Sequence, residues 1–341
     1  MDPKMLLVVG LAALIALVAP VPGASQPPTP KDKSRPPMLV VSNKSADTIS
    51  FVNLKTVQVE GTAATGRGPH EVAATADGKR AFSANYEGPG DSISVIDVKT
   101  MKEVQRIPLA PYKRPHGLAI SQDGRKLYVT CEANQAVIEI EVATGKISRA
   151  LSTGQKITHT LALTPDGNKL YAANIVSGTV TALDLPAGRI LAQIPTGRGP
   201  EGLEVTPDGK ELWVANREEG TLSIIEVAAD RVIKTLPCPG FPIRLRFTPD
   251  GQMALVSCYQ EGSVAAFEVA SRREVKRVKP TAFSLGRPIG LLIEPGGKRA
   301  FVSDEEGDQV LIIDLHRLEV VDRIPSGGKP DGLAFVPARS E

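Results

Sequence analysis

The chain has 341 residues, with 40 Lys and Arg against 38 Asp and Glu for a formal net charge of +2. Aromatic residues make up 4 % and charged residues 23 %, values that exclude a disordered chain, and so small a net charge gives no electrostatic case for nucleic acid. The length is large for one hydrophobic core but ordinary for stacked repeats.

In chain order, the first element is the apolar run "MLLVVGLAALIALVAP", Met5 to Pro20, behind Lys4 and followed by the small residues "VPGAS". That layout predicts a secretory signal peptide over 1–24, cut near Gly23 to Ser25. Asp2 offsets Lys4, so an uncleaved membrane anchor is the alternative. "QPPTPKDKSRPP" reads as an extended linker over 25–37, and the folded domain is expected over 38–341, in a periplasmic or secreted protein. Cys131, Cys238 and Cys258 make no disulfide framework. A Cys238–Cys258 bridge is open to the chain, but three small buried residues is the preferred reading.

Turns of the type "PDG" then mark a period. Their glycines fall at 78, 124, 167, 209, 251 and 297, in steps of 46, 43, 42, 42 and 46 residues. Steps of that size suit the ~40–50-residue blades of a β-propeller. Within each unit, short runs alternate apolar and polar residues between Gly, Pro and Asp, which excludes helical repeats. Each unit reads as four strands, and Asp-Gly closes the first hairpin because glycine accepts a positive φ there.

The second strand recurs seven times, as "MLVVSN", "RAFSAN", "KLYVTC", "KLYAAN", "ELWVAN", "MALVSC" and "RAFVSD". The first copy lacks a preceding first strand, and the C-terminal "GKPDGLAFVP" is a first strand with nothing after it. The two fragments complete one another, predicting an all-β, seven-bladed propeller of four-stranded blades, its ring closed by overlap of the chain ends.

The segments "LWVAN", "ISVID" and "LIIDL" resemble the YVTN-type, YncE-like β-propellers of exported bacterial and archaeal proteins, and the resemblance covers Met38 to Pro337. It implies the propeller fold. Members are mostly binding or surface proteins, while related propellers serve redox enzymes or act as lactonases and lyases, so no single activity follows.

Comparing blades separates scaffold from site. One acid or amide ends the third strand of every blade, at Asn53, Asp97, Glu141, Asp184, Glu226, Glu268 and Asp314, and is expected to cap the following turn. Asn43, Asn85, Asn174 and Asn216 read as architectural for the same reason, with Cys131, Cys258 and Asp304 at the equivalent place. The opening of the first strand behaves otherwise. Behind a recurring proline it carries His70, His116, His159, Glu201, Ile243, Ile289 and Asp331. The fourth histidine, His316, lies in a surface turn.

Because the hairpin joins strands one and two, the start of strand one and the end of strand two share one mouth of the channel. Glu132, Asn174, Asn216, Arg217 and Asp304 are expected beside the histidines. Arg67, Lys113, Arg114, Lys156 and Arg198 form a basic collar, and Arg244 and Arg287 flank the apolar positions. The leading expectation is a site for a small anionic ligand or a partner protein, using His70, His116, His159, Glu201, Glu132, Arg114, Arg198, Arg217, Arg244, Arg287 and Asp331.

The second expectation is a metal-dependent lactonase or lyase that holds zinc or copper on His70, His116, His159 and Glu201. Against it, sheets pack ~10 Å apart, so ligands from successive blades would have to lean inward. The third is an assembly scaffold in a redox or cell-envelope complex. No nucleophilic serine motif, nucleotide loop or haem-binding Cys-x-x-Cys-His is present. The chain is expected to be monomeric, with membrane contact only through an uncleaved N-terminal segment.

Overall fold

Each Asp-Gly turn is closed by its own side chains. In "TPDGNK", Asp166 accepts the Asn168 N–H at 3.1 Å and the Thr164 hydroxyl accepts the Lys169 N–H at 3.0 Å. Gly167 supplies the positive φ of 70° that the turn requires. The same threonine or serine with aspartate recurs at Thr75, Ser121, Thr206 and Thr248. This local chemistry fixes the register of the strands on either side.

A computed structural model of the protein describes residues 35–88, 91–279 and 286–339. The expected signal peptide and residues 25–34 of the linker lie outside them. Among the described residues the strands form seven four-stranded antiparallel sheets. The seven second strands are those expected, from Met38–Asn43 in blade 1 to Arg299–Asp304 in blade 7. Pro330–Val336 pairs with Met38–Asn43 and so becomes the innermost strand of blade 1, with Leu39 opposite Phe335. The ring is closed as the sequence requires. A short bridge between Arg35 and Arg339 extends the seam.

The core lies between blades. Leu39, Val52, Phe301 and Ile312 join blades 1 and 7 in one buried cluster. Trp213 of blade 5 is fully buried, packed edge-on to Phe247 of blade 6 at 5.5 Å. Cys131, Cys238 and Cys258 are free and buried, with the last two sulfurs 3.9 Å apart.

The capping expectation holds for the short side chains only. Asn53, Asp97, Asp184 and Asp314 accept backbone N–H groups of the following turn. At Glu141, Glu226 and Glu268 the turn is closed by the carbonyl of the same residue, a bond that Asn53, Asp184 and Asp314 make in addition to their side-chain caps.

One feature of the innermost strands positions the site. In blade 2, Pro69 pairs with Asn85 but Val72 pairs with Ser83, so one extra residue stands on the inner strand. The same offset follows the opening residue of the inner strand in every other blade. A bulge there frees side chains from the pleat and re-aims them.

Candidate functional site at the channel mouth

The bulged positions His70, His116, His159, Glu201, Ile243, Ile289 and Asp331 all line one cavity of about 300 Å³. A second tier comes from the residue after each second strand, supplying Lys44, Tyr86, Arg217, Tyr259 and Glu305. Phe241 and Arg244 complete the wall. The expectation that the histidines share one space is met.

The imidazoles form a row. The His116 ring lies 3.6 Å from that of His159 and 5.2 Å from that of His70, and Tyr86 closes a triangle at one end, 4.4 Å from His70 and 5.6 Å from His116. Their surroundings give them different charges. Burial opposes a charge on His159, but Glu132 on Nδ1 and Glu201 facing Nε2 at 3.5 Å override it and raise its pKa. Burial holds the pKa of His116 well below the usual imidazole value, and the neighbouring histidines and Arg244 push the same way. His116 Nδ1 has no hydrogen-bond partner among the described residues. His70 is lowered by burial against the pull of Asp331, and its Nδ1–H donates to the Gly68 carbonyl at 2.8 Å. A carbonyl only accepts, so neutral His70 keeps its lone pair on Nε2.

Arg244 crosses the channel. It donates to Glu201 of blade 5 at 2.8 Å and reaches Glu71 of blade 2, on the far side of the ring, also at 2.8 Å. Glu71 sits one residue deeper than His70, so this pair bars the channel and makes the mouth a cup. Burial would raise the pKa of Glu201, but the His159 hydrogen bond and the charges of Arg244 and Arg217 hold it far below the usual carboxylate range. On the other wall Lys44 lies 2.8 Å from Glu305 and 3.3 Å from Asp331.

The structure corrects three expectations. His70, His116, His159 and Glu201 converge but do not make a metal ligand set. Both nitrogens of His159 face carboxylates, and Glu201 is occupied by Arg244 and Arg217. Among the described residues no group of three His, Cys, Asp or Glu side chains is placed to hold a metal ion. The spacing objection also fails, because the inner strands bring rings of successive blades within stacking distance. The collar is the third correction. Arg67, Lys113, Lys156 and Arg198 are exposed and stand outside the cavity. Arg114 bonds Tyr86 and Glu132 from outside it, Glu132 acts by holding His159, and Arg287 lies over Tyr259.

Glu71, Lys44, Tyr86, Phe241, Tyr259 and Glu305 were not expected from the sequence. Comparing blades at the residue after each second strand gives Lys44, Tyr86, Glu132, Ile175, Arg217, Tyr259 and Glu305, as variable as the histidine position. One residue after the histidine position the series is Glu71, Gly117, Thr160, Gly202, Arg244, Gly290 and Gly332. Only Glu71 and Arg244 are large there, and they are the pair that crosses the channel.

Fold and cavity together define a seven-bladed propeller with a titratable cup at one mouth. The chain belongs to the family described as lactonase, 7-bladed beta-propeller, whose model matches residues 42–232. It is 30 % identical over 121 residues to the seven-bladed beta-propeller protein Rv1057 of Mycobacterium tuberculosis (strain ATCC 25618 / H37Rv). That match spans 35 % of this chain and 30 % of the relative. Among solved structures, the periplasmic gluconolactonase PpgL of Pseudomonas aeruginosa is similar at 21 % identity and a TM-score of 0.72, over 88 % of this chain and 99 % of that one. Hydrazine synthase of Kuenenia stuttgartiensis is similar at 21 % identity and a TM-score of 0.72, over 79 % of this chain and 90 % of the other. Likenesses at this identity show the fold alone.

Proposed function

We propose that the channel mouth of this exported, YncE-like propeller takes up a small oxygen-rich ring compound or hydroxy acid, of the lactone and aldonate class. The observation that carries this is the mixed lining of the cavity. The imidazoles come from blades 2 to 4 and Ile243 and Ile289 from blades 6 and 7, with Phe241 under the Arg217 guanidinium and Lys44 and Arg244 among them. A ring with an apolar face and an edge of oxygens matches such a wall. The paired charges narrow the ligand further. Lys44, Arg217 and Arg244 each already face a carboxylate, which favours a neutral molecule with many hydroxyls, or one carboxylate, over a multiply charged anion. Membership of a lactonase family and likeness to a gluconolactonase support this class.

The tautomer of His70 favours hydrolysis of such a lactone. Its Nε2 lone pair can take a proton from water as the water oxygen attacks the ring carbonyl. Cationic groups of the cup stabilise the oxyanion, the ring C–O bond breaks, and His70 returns its proton to the departing alkoxide. No step draws on a metal.

The test is a thermal-shift and calorimetric screen of the purified protein against aldonolactones and their aldonates, followed by a pH-stat assay with any lactone that binds. Saturable binding supports the reading. A protein that binds neither class contradicts it, and binding without turnover removes the hydrolytic step alone. Export is tested separately, by N-terminal sequencing of the protein recovered outside the cytoplasm.

A further inference from the structure

On the hairpin face, opposite the mouth, a groove recurs between neighbouring blades and its charge can be compared from one to the next. Between blades 4 and 5 the charged lining is Asp166, Asp208 and Lys169. Between blades 5 and 6 it is Asp208, Glu211 and Asp250 with Lys210 and Arg272, and between blades 6 and 7 it is Asp250 and Asp314 with Lys298, beside His316. Each of these three grooves has one more Asp or Glu than Lys or Arg. The groove at the ring closure, between blades 1 and 2, is reversed: among the described residues Arg35, Lys79, Arg80, Lys99 and Arg339 line a cavity of about 370 Å³ with a single acid, Asp97. The groove is architecture, because four blade pairs share it, and among these four the positive charge is particular to this one.

A second observation concerns the two arginines. Arg35 and Arg339 exchange both backbone hydrogen bonds, at 2.8 and 3.0 Å, which sets them directly opposite one another with their side chains on one face. Like charges placed so are destabilising unless something lies between them. Arg35 donates Nη2 to the Pro337 carbonyl at 3.0 Å, while its Nη1 is buried with no hydrogen-bond partner among the described residues. Burial, then Arg339, lowers the Arg35 pKa, as expected of a guanidinium short of a counter-charge. Among the described residues Asp77 and Asp97 raise the Arg35 pKa from a distance, less than burial and Arg339 lower it, and neither is paired with Arg35. Asp97 accepts from Thr100, and Asp77 accepts from Thr75 and the Lys79 N–H.

We propose that the closure groove binds a phosphate group, held by Arg35 and Arg339 across the seam between the chain ends. Guanidinium forks match the oxygens of a phosphate, and an anion there relieves the repulsion of the pair. The ligand bridges the segments that enter and leave the ring, so it also fastens the closure.

Free phosphate and a lipid headgroup present the same chemistry, and two arms separate them. In the first, inorganic phosphate is titrated into the full chain by calorimetry, with chloride at matched ionic strength as control. In the second, the full chain is sedimented with phosphatidylcholine vesicles with and without phosphatidylglycerol. Both arms compare wild type with Arg339→Gln and Arg80→Gln, which carry the same N-terminal segment, and with Lys298→Gln in the blade 6–7 groove. Circular dichroism checks that each variant is folded. The proposal expects one arm to show binding that weakens about tenfold in Arg339→Gln or Arg80→Gln and is unchanged in Lys298→Gln. Phosphate binding identifies a free-phosphate site, and phosphatidylglycerol dependence without phosphate binding identifies a headgroup site. Binding in neither arm, or equal loss in Lys298→Gln, overturns it.

Discussion

Arg244 in blade 6 and Glu71 in blade 2 meet across the central channel at 2.8 Å, joining strands 173 residues apart in the chain. The guanidinium is almost fully buried and holds Glu201 at the same time. Burial works against a charge on Arg244, but Glu71 and Glu201 outweigh it and raise its pKa. The pair makes the floor of the cup and ties opposite sides of the ring.

Removing one partner of a buried ion pair leaves the other charge uncompensated, at a cost of about 3–5 kcal/mol. Arg244→Met should therefore lower stability to urea by about that amount. Adding Glu71→Gln to Arg244→Met should recover part of the loss, since it removes one stranded carboxylate. A double-mutant cycle by urea unfolding measures both. Additive losses would show that the two side chains do not interact.

His159 gives a pH dependence of defined sign. Its pKa is raised above the ordinary 6.5 by Glu132 and Glu201 despite burial. The stabilisation is therefore complete below pH 6.5 and is lost as pH rises through the folded-state value. In His159→Gln that contribution is absent, so the gap in urea midpoint between wild type and variant should be wider at about pH 5.5 than at about pH 9. A gap that widens toward alkaline pH would place the proton elsewhere.

His70 titrates the other way. Burial lowers its pKa below 6.5, so it stays unprotonated, and able to accept a proton, down to a pH below that value. Lactone hydrolysis should accordingly have its acid limb below pH 6.5, and His70→Gln should cut kcat/KM by about 100-fold or more, mainly through kcat. An unaltered acid limb in His70→Gln would assign the base to another group.

The bulged strands pack against one another with no room to spare. A Cβ on Gly290 would stand 1.9 Å from the Asp331 carbonyl oxygen, whereas Gly296, in the hairpin turn of the same blade, has nothing within 4 Å. Gly290→Ala should cost about 2–3 kcal/mol and disturb the cup through Asp331. Gly296→Ala should stay within about 0.5 kcal/mol of wild type. Thermal unfolding of the two variants makes the comparison.

The propeller was legible because its determinants are local. Each Asp-Gly turn names its hairpin, and an orphan strand at each end of the chain names the closure. The site was legible where a position could be compared across blades, which is why His70, His116, His159, Glu201 and Asp331 were found. The bulge that aims them was not, since a one-residue offset in pairing is set by tertiary packing and leaves no residue signature. The ion pairs were also hidden. Arg217 and Arg244 read as ligand-binding cations, and the structure places Glu201 beside both and Glu71 beside Arg244. Glu71 itself was accessible to the same comparison one position further along, where small residues otherwise prevail.

Ile289 lines the cavity, is 8 % exposed and has an apolar side chain outside the ion-pair network, so it offers the most direct test of a ligand-filled cup. Calorimetric titration of an aldonolactone into wild type and Ile289→Trp, with β-sheet content checked by circular dichroism, isolates the void from the chemistry. The account predicts saturable binding in the wild type that disappears when the indole fills the cavity of a folded variant. Equal affinity in both proteins would show that the ligand sits elsewhere and that the channel mouth is not its site.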